Sequence, residues 1–421
     1  MRRLILCGAL IDGTGAEPRE REALLLDGER IAWAGAQADL TRSIREGAEV
    51  LDLESSFLLP GLIDAHVHLT FNAGPDHATV RRALETESDT ELTLRAVSNA
   101  QAHLAGGVTT VRDVGGRGFL TLAVRDAMNA GQVLGPRVRV AGPAITPTRG
   151  HLHYLGAVAD GEEAVRRRAE EVLEAGADLV KVCATGGIMT AESDPLQVHY
   201  TTRELRAAVE AAERRGALVA AHALALEGVS RCVDAGVRSI EHCMWQEAPG
   251  EYCFRPEVAA RMKEQGVIAG LTYAGLGQAR YREEVLSQAA GADLGAWKER
   301  MERRYAAERA MIDAGVRYVL HSDAGVRETP FGAFWLILAS ACYELKLSPL
   351  EAIRAVTETA AELLGMGDRL GVLAPGKLAD LVAVRENPAE RIEALARPAL
   401  VLRGGRIVAR SGSIELPAGR G

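Results

Sequence analysis

His66 and His68 stand one residue apart at the end of the apolar run Leu59-Pro60-Gly61-Leu62-Ile63-Asp64-Ala65-His66-Val67-His68-Leu69. In a β-strand, alternate side chains share a face, so this spacing aims both imidazoles the same way. Two imidazoles on one face suit a divalent metal at Zn–N distances of about 2.0–2.1 Å. A His-x-His pair alone is equally an ordinary half-buried strand, and its weight comes from residues further along. Asp113, Lys181, His222, His242 and Asp323 each lie in or at the end of an apolar segment that follows a glycine. Imidazoles and a carboxylate are donors suited to Zn²⁺, and also to Mn²⁺, Fe²⁺ or Co²⁺. Lys181 is the odd member. An ammonium has no lone pair and repels a cation, so a lysine in such a site must be neutral, paired or modified. A neutral amine reacts with CO₂ to give a carbamate, whose two oxygens can bridge two metals about 3.5–4 Å apart.

The elements that must position these groups follow a rhythm. Charged, Ala-rich helical stretches end at Gly107, Gly176, Gly216, Gly236, Gly266 and Gly315, and an apolar strand follows each one. Glycine past a helix end takes the left-handed conformation without strain. With strands at 62–69 and 138–145 the count reaches eight. Alternating strands and helices imply parallel pairing with right-handed crossovers. The expectation is an α/β fold, a (β/α)₈ TIM barrel over 59–367, with chemistry at the carboxyl rim of its strands. An open doubly wound sheet is the alternative, disfavoured because no Gly-x-Gly-x-x-Gly opens a first strand–helix turn. Residues 1–58 read as short strands with tight turns. Residues 368–421 read likewise, with Gly404-Gly405 fitting a two-residue hairpin. The two ends are expected to pair into one small β-sandwich domain.

Composition narrows the function classes. The chain has 421 residues, 48% apolar and 25% charged, with a net charge of −8. That balance argues against nucleic acid or an anionic membrane as partner, and no apolar run is long enough to span a bilayer. Six cysteines without a regular framework suggest reduced, buried thiols in a cytoplasmic protein. Cys183 and Cys243, which flank site candidates, are expected to pack behind the site.

The spaced ligands, with Leu179-Val180-Lys181-Val182, Ile240-Glu241-His242 and His321-Ser322-Asp323-Ala324-Gly325, resemble the metal-ligand set of the amidohydrolase superfamily. The tail Gly371-Val372-Leu373-Ala374-Pro375-Gly376-Lys377-Leu378-Ala379-Asp380-Leu381 resembles that superfamily's return into its β-sandwich. The resemblance implies that His66, His68 and Asp323 bind the more buried metal, His222 and His242 the other, and carboxylated Lys181 bridges them. It implies two divalent ions, with zinc expected, and a metal-bridging hydroxide as nucleophile. Asp323 is then the catalytic base and acid, and Asp113 an outer residue orienting a ligand. Lys181-Val182-Cys183-Ala184-Thr185-Gly186-Gly187 resembles a branch of prolidase-like and Xaa-Arg/Lys dipeptidases and related aryl-amide, carbamate and phenylurea hydrolases. That branch implies substrate contacts at His151, His153 and Tyr154, although this chain lacks the His-Gly-His form.

The expected activity is hydrolysis of an amide-type C–N bond in a small molecule, a dipeptide or an N-acyl or aryl amide, by a homo-oligomer. Phe71, Met189, Trp245 and Tyr273 are further candidate pocket walls, with Arg149 or Arg327 to hold a carboxylate and residues 271–300 as a lid or insertion. The rivals on the same barrel are a carbamate, ester or lactone hydrolase, and a deaminase, against which Lys181 weighs. A catalytically inactive scaffold is the rival of another class, and the full ligand set weighs against it.

Overall fold

The computed structural model describes residues 2–273 and 294–415. Barrel strands run Leu62–Val67, Val108–Asp113, Arg137–Val140, Val180–Cys183, Val219–His222, Ser239–Glu241, Ile268–Thr272 and Tyr318–His321. Their pairings are parallel throughout. The barrel closes between its last and first strands. Asp323 N donates to His66 O and His68 N to Ala324 O, both at 2.9 Å, so closure itself sets His66, His68 and Asp323 side by side.

The strand expected at 138–145 is divided. Arg137–Val140 pairs with Val108–Asp113, whereas Ile145–Thr146 pairs with Val180–Cys183. Gly142 between them takes a φ of +70°, and Pro143 has no N–H to give a ladder. The eight-strand count survives because Asp178 N reaches Val140 O at 2.7 Å across the gap.

Helix boundaries follow local chemistry. Ser88 with Glu91, Thr201 with Glu204 and Ser348 with Glu351 form reciprocal capping boxes at helix starts. Gly236 (φ +85°) and Gly266 (φ +67°) end the helices Leu226–Ala235 and Pro256–Gln265.

Strands from both chain ends form one nine-stranded sheet. Glu49–Pro60 lies beside Arg2–Leu10 on one side and Leu381–Val384 on the other. The sheet curls, since Ile31 N donates to Lys377 O at 2.9 Å, and its inner face buries Ile5, Leu24, Leu58, Leu381 and Leu402. The Gly404-Gly405 hairpin turn is present, with φ of +56° and +72°. Glu49–Pro60 is longer than the short strands expected over 1–58 and passes through Gly61 into the first barrel strand. A Cβ on Gly61 would overlap the Thr109 side chain. That close approach lets the sheet hand the chain directly to the strand bearing His66. No helix among the described residues is long and apolar enough to cross a membrane.

Candidate metal centre and active site

His66, His68, Lys181, His222, His242 and Asp323 all line one cavity of about 490 Å³ at the carboxyl end of the barrel. The histidine rings sit close, with centroids 5.2 Å apart for His66 and His68, 5.2 Å for His66 and His242, and 4.6 Å for His222 and His242. Burial pushes His66 and His242 well below the ordinary histidine range and His222 to about 3, so the rings are neutral.

Hydrogen bonds fix which nitrogen of each ring is free. His66 Nδ1 lies 2.9 Å from Glu241 Oε2, and His68 Nδ1 donates to Gly115 O at 2.7 Å. Their Nε2 lone pairs therefore face Asp323 Oδ1, at 3.3 and 3.2 Å. His222 Nε2 donates to Gly186 O at 2.9 Å, which leaves its Nδ1 as the lone pair. Asp323 Oδ1 and Lys181 Nζ are both buried with no hydrogen-bond partner. Three lone-pair donors converging without protons between them repel one another unless a cation sits among them. Burial lowers the Lys181 ammonium, favouring the neutral amine. The residues thus fit divalent cations in number, protonation and direction.

A buried polar layer supports this floor. Glu241 Oε2 contacts His66 Nδ1 and, at 3.2 Å, His321 Nε2, while Oε1 accepts from Arg112 Nη2 at 2.8 Å and Ser239 Oγ at 2.6 Å. Asp64 accepts from His103 Nε2 at 2.9 Å, Ser322 N at 3.1 Å and the Ser322 hydroxyl. Asp113 Oδ2 accepts from Leu69 N at 2.8 Å, which ties the chain just past His68. Left-handed φ values at non-glycine residues gather here, at His242 (+68°), Cys243 (+43°), Trp245 (+52°) and Asp323 (+58°). Such conformations cost on the order of 1–3 kcal/mol each and persist where the surroundings over-determine them.

The remaining sequence candidates divide. His151 lines the cavity, its ring centroid 4.6 Å from His222 and its Nδ1 unpartnered. Gly187 admits it, since a Cβ there would overlap the ring. His153 and Tyr154 are not among the lining residues. His153 Nδ1 is held to Gly150 O at 3.0 Å, and Tyr154 lies under the Arg81 guanidinium. Phe71, Met189 and Arg327 line the cavity. Trp245 and Tyr273 are instead core residues with no exposure, and Arg149 is off the cavity. Of the 271–300 stretch, residues 274–293 lie outside the described residues. From Leu294 a helix runs to Asp313 and presents Trp297, Arg300, Met301 and Arg304 to the cavity.

The family model described as "Amidohydrolase family" matches residues 57–408. The chain belongs to the amidohydrolase family. Ochratoxinase of Aspergillus niger is 29% identical over 440 aligned residues, spanning 96% of this chain and 86% of that protein. Imidazolonepropionase of Ralstonia nicotianae is 27% identical over 405, covering 90% of each. The crystal structure of an Xaa-Pro dipeptidase with methionine in its active site matches with a TM-score of 0.83 at 28% identity, covering 97% of this chain and 99% of that one. This amidohydrolase is accordingly a hydrolase of amide-type bonds. Residue spacing gives no role to Glu241, Arg112, Asp64, His103 or His321. Glu241 and Asp64 stand inside the recognised motifs. Their signal was a charge at a position the strand pattern buries.

Proposed function

We propose that this amidohydrolase cleaves an amide-type C–N bond in a small molecule, a dipeptide or an N-acyl or aryl amide, with two divalent cations, zinc the expected pair. His66, His68 and Asp323 would hold one ion and His222 and His242 the other. Lys181, whose burial favours the neutral amine, would add CO₂ at Nζ, lose one proton and serve both ions as a carbamate. The observation that carries this reading is the orphaned Lys181 Nζ, buried on the same cavity floor as four imidazoles, three of which have one ring nitrogen left free by the hydrogen bond at the other. The relatives named ochratoxinase, imidazolonepropionase and Xaa-Pro dipeptidase support the substrate class.

Such ions supply Lewis acidity toward a water molecule and a scissile carbonyl. The chain's own residues do the rest. Asp323 accepts the proton that the water gives up and returns it to the departing nitrogen. His151, with its free Nδ1, offers a polar contact to the substrate beside His222. Phe71, Met189 and Trp297 exclude bulk water, and Glu241 keeps His66 in the tautomer whose Nε2 faces Asp323.

The test is hydrolysis by metal-replete protein across a library of dipeptides, N-acyl amino acids and aryl amides, with metal content measured in parallel. Turnover of at least one amide class that is abolished by chelation and restored by zinc supports the reading. Protein that carries metal and cleaves only esters, lactones or amino-heterocycles overturns it.

A further inference from the structure

Arg327 lines the cavity four residues after Asp323. The turn that carries it is tied down at several points. Val326 N donates to Asp323 O at 3.3 Å, Gly325 N to Thr329 O at 2.9 Å, and Glu328 N to Gly74 O at 3.0 Å. Gly332 N closes the segment on His103 Nδ1 at 3.0 Å. The guanidinium is therefore tethered by backbone fixed relative to Asp323.

The cavity arginines are not equivalent. Arg304 is buried and spends Nε on Glu308 Oε1 and Nη2 on Thr272 O, both at 2.8 Å. Arg300 stands on the separate helix Leu294–Asp313 and packs its stem against the turn at Gly250. Arg327 has a single carboxylate within ion-pair range among the described residues. That is Glu328, at 3.9 Å from Nε, too long for a hydrogen bond. Its side chain is 41% exposed, and the cavity that it lines is also walled by Phe71, Met189 and Val326, which are apolar and buried. A guanidinium with unspent donors beside an apolar wall matches a planar anion, and it binds a carboxylate through two parallel N–H bonds.

The place of that carboxylate follows from the chemistry. In an N-acyl α-amino acid the carboxylate sits on the carbon bonded to the amide nitrogen. That is the nitrogen to which Asp323 returns its proton. A cation held on the turn next to Asp323 therefore meets an anion on the leaving side of the bond. We infer that Arg327 selects substrates with a free carboxylate on the leaving amine, namely N-acyl α-amino acids and dipeptides, over amides with a neutral leaving group. The inference rests on the reading of Asp323 as proton carrier and narrows the substrate class proposed for the site.

The test reads binding, so it does not depend on turnover. N-benzenesulfonyl-leucine, whose sulfonamide resists cleavage, and its C-terminal carboxamide are titrated calorimetrically into wild-type protein, Arg327→Ala, Arg327→Lys and Arg300→Ala. Metal content is measured on the same samples. Wild type is expected to favour the free acid by about tenfold to a hundredfold, the range for a charged hydrogen-bonded contact. Arg327→Ala should lose that preference while keeping its affinity for the carboxamide, and Arg327→Lys should keep part of it. Arg300→Ala should keep all of it. Equal binding of the two probes by wild type, or no binding of either, overturns the inference. So does a preference that survives Arg327→Ala or disappears in Arg300→Ala. A preference lost in Arg327→Ala from protein that binds no metal would instead uphold Arg327 and sink the metal reading.

Discussion

His66 Nδ1 and Glu241 Oε2 lie 2.9 Å apart, both buried. This contact fixes the imidazole with its Nε2 toward Asp323 and links the first barrel strand to the sixth. Arg112 Nη2, 2.8 Å from the other carboxylate oxygen, supplies the balancing charge. Glu241 is held well below the usual carboxylate range: burial opposes this, but Arg112, His321 and His66 more than offset it.

Replacing Glu241 with Gln should weaken divalent-metal affinity by about 10–100-fold, the usual cost of losing a partner that orients a ligand. Competition against a chromogenic chelator measures this directly. The shape and one acceptor oxygen are conserved, so the melting profile should move less than in Glu241→Ala, which leaves Arg112 Nη2 and Ser239 Oγ with no acceptor there. Unchanged metal affinity in Glu241→Gln would show that His66 is oriented by something else.

Gly61→Ala should destabilise the protein by about 1–3 kcal/mol, since the new methyl overlaps Thr109 where the sheet strand passes into the barrel. Thr109→Ala in the same chain should recover part of the loss. Equilibrium or thermal unfolding of the single and double variants checks the pair. A double variant no more stable than Gly61→Ala would place the damage elsewhere.

The buried thiols make a pH prediction. Burial pushes Cys183 up to about 12, against an ordinary value of 9.0, and Cys7 likewise. Iodoacetamide attacks the thiolate, so native protein at pH 8 should leave Cys7, Cys183, Cys232 and Cys243 unlabelled. Cys253, which is half-buried, should react first, ahead of Cys342, which burial also pushes up to about 12. The linkage has a definite sign. Unfolded thiols ionise near 9 and folded ones near 12, so their contribution to stability is intact below pH 9 and is withdrawn as pH climbs toward 12. Labelling of Cys183 in folded protein at pH 8, located by peptide mass spectrometry, would contradict this.

The sequence exposed the barrel because each helix-ending glycine is followed by an apolar strand, a pattern that depends only on local chemistry. It pointed to His66, His68, Lys181, His222, His242 and Asp323 because each is polar at a strand end, and the structure brings these six around one cavity floor. It could not reach Glu241, Arg112 or Asp64 in role, since their partners lie on other strands and are set by barrel closure. Trp245 and Tyr273 read as pocket walls, yet they turn into the core, and a loop's direction is not encoded by spacing. The interruption at Gly142-Pro143 had a visible local cause, whereas the change of strand partner across it depended on the neighbouring strands.

Metal stoichiometry in wild type and Lys181→Ala, measured by plasma emission on protein prepared with zinc and bicarbonate, tests the central claim most directly. Wild type is expected to hold about two ions per chain. Lys181→Ala is expected to lose both metal and turnover, with partial return of each on adding a short carboxylic acid. A Lys181→Ala protein that keeps both ions and full turnover would contradict it.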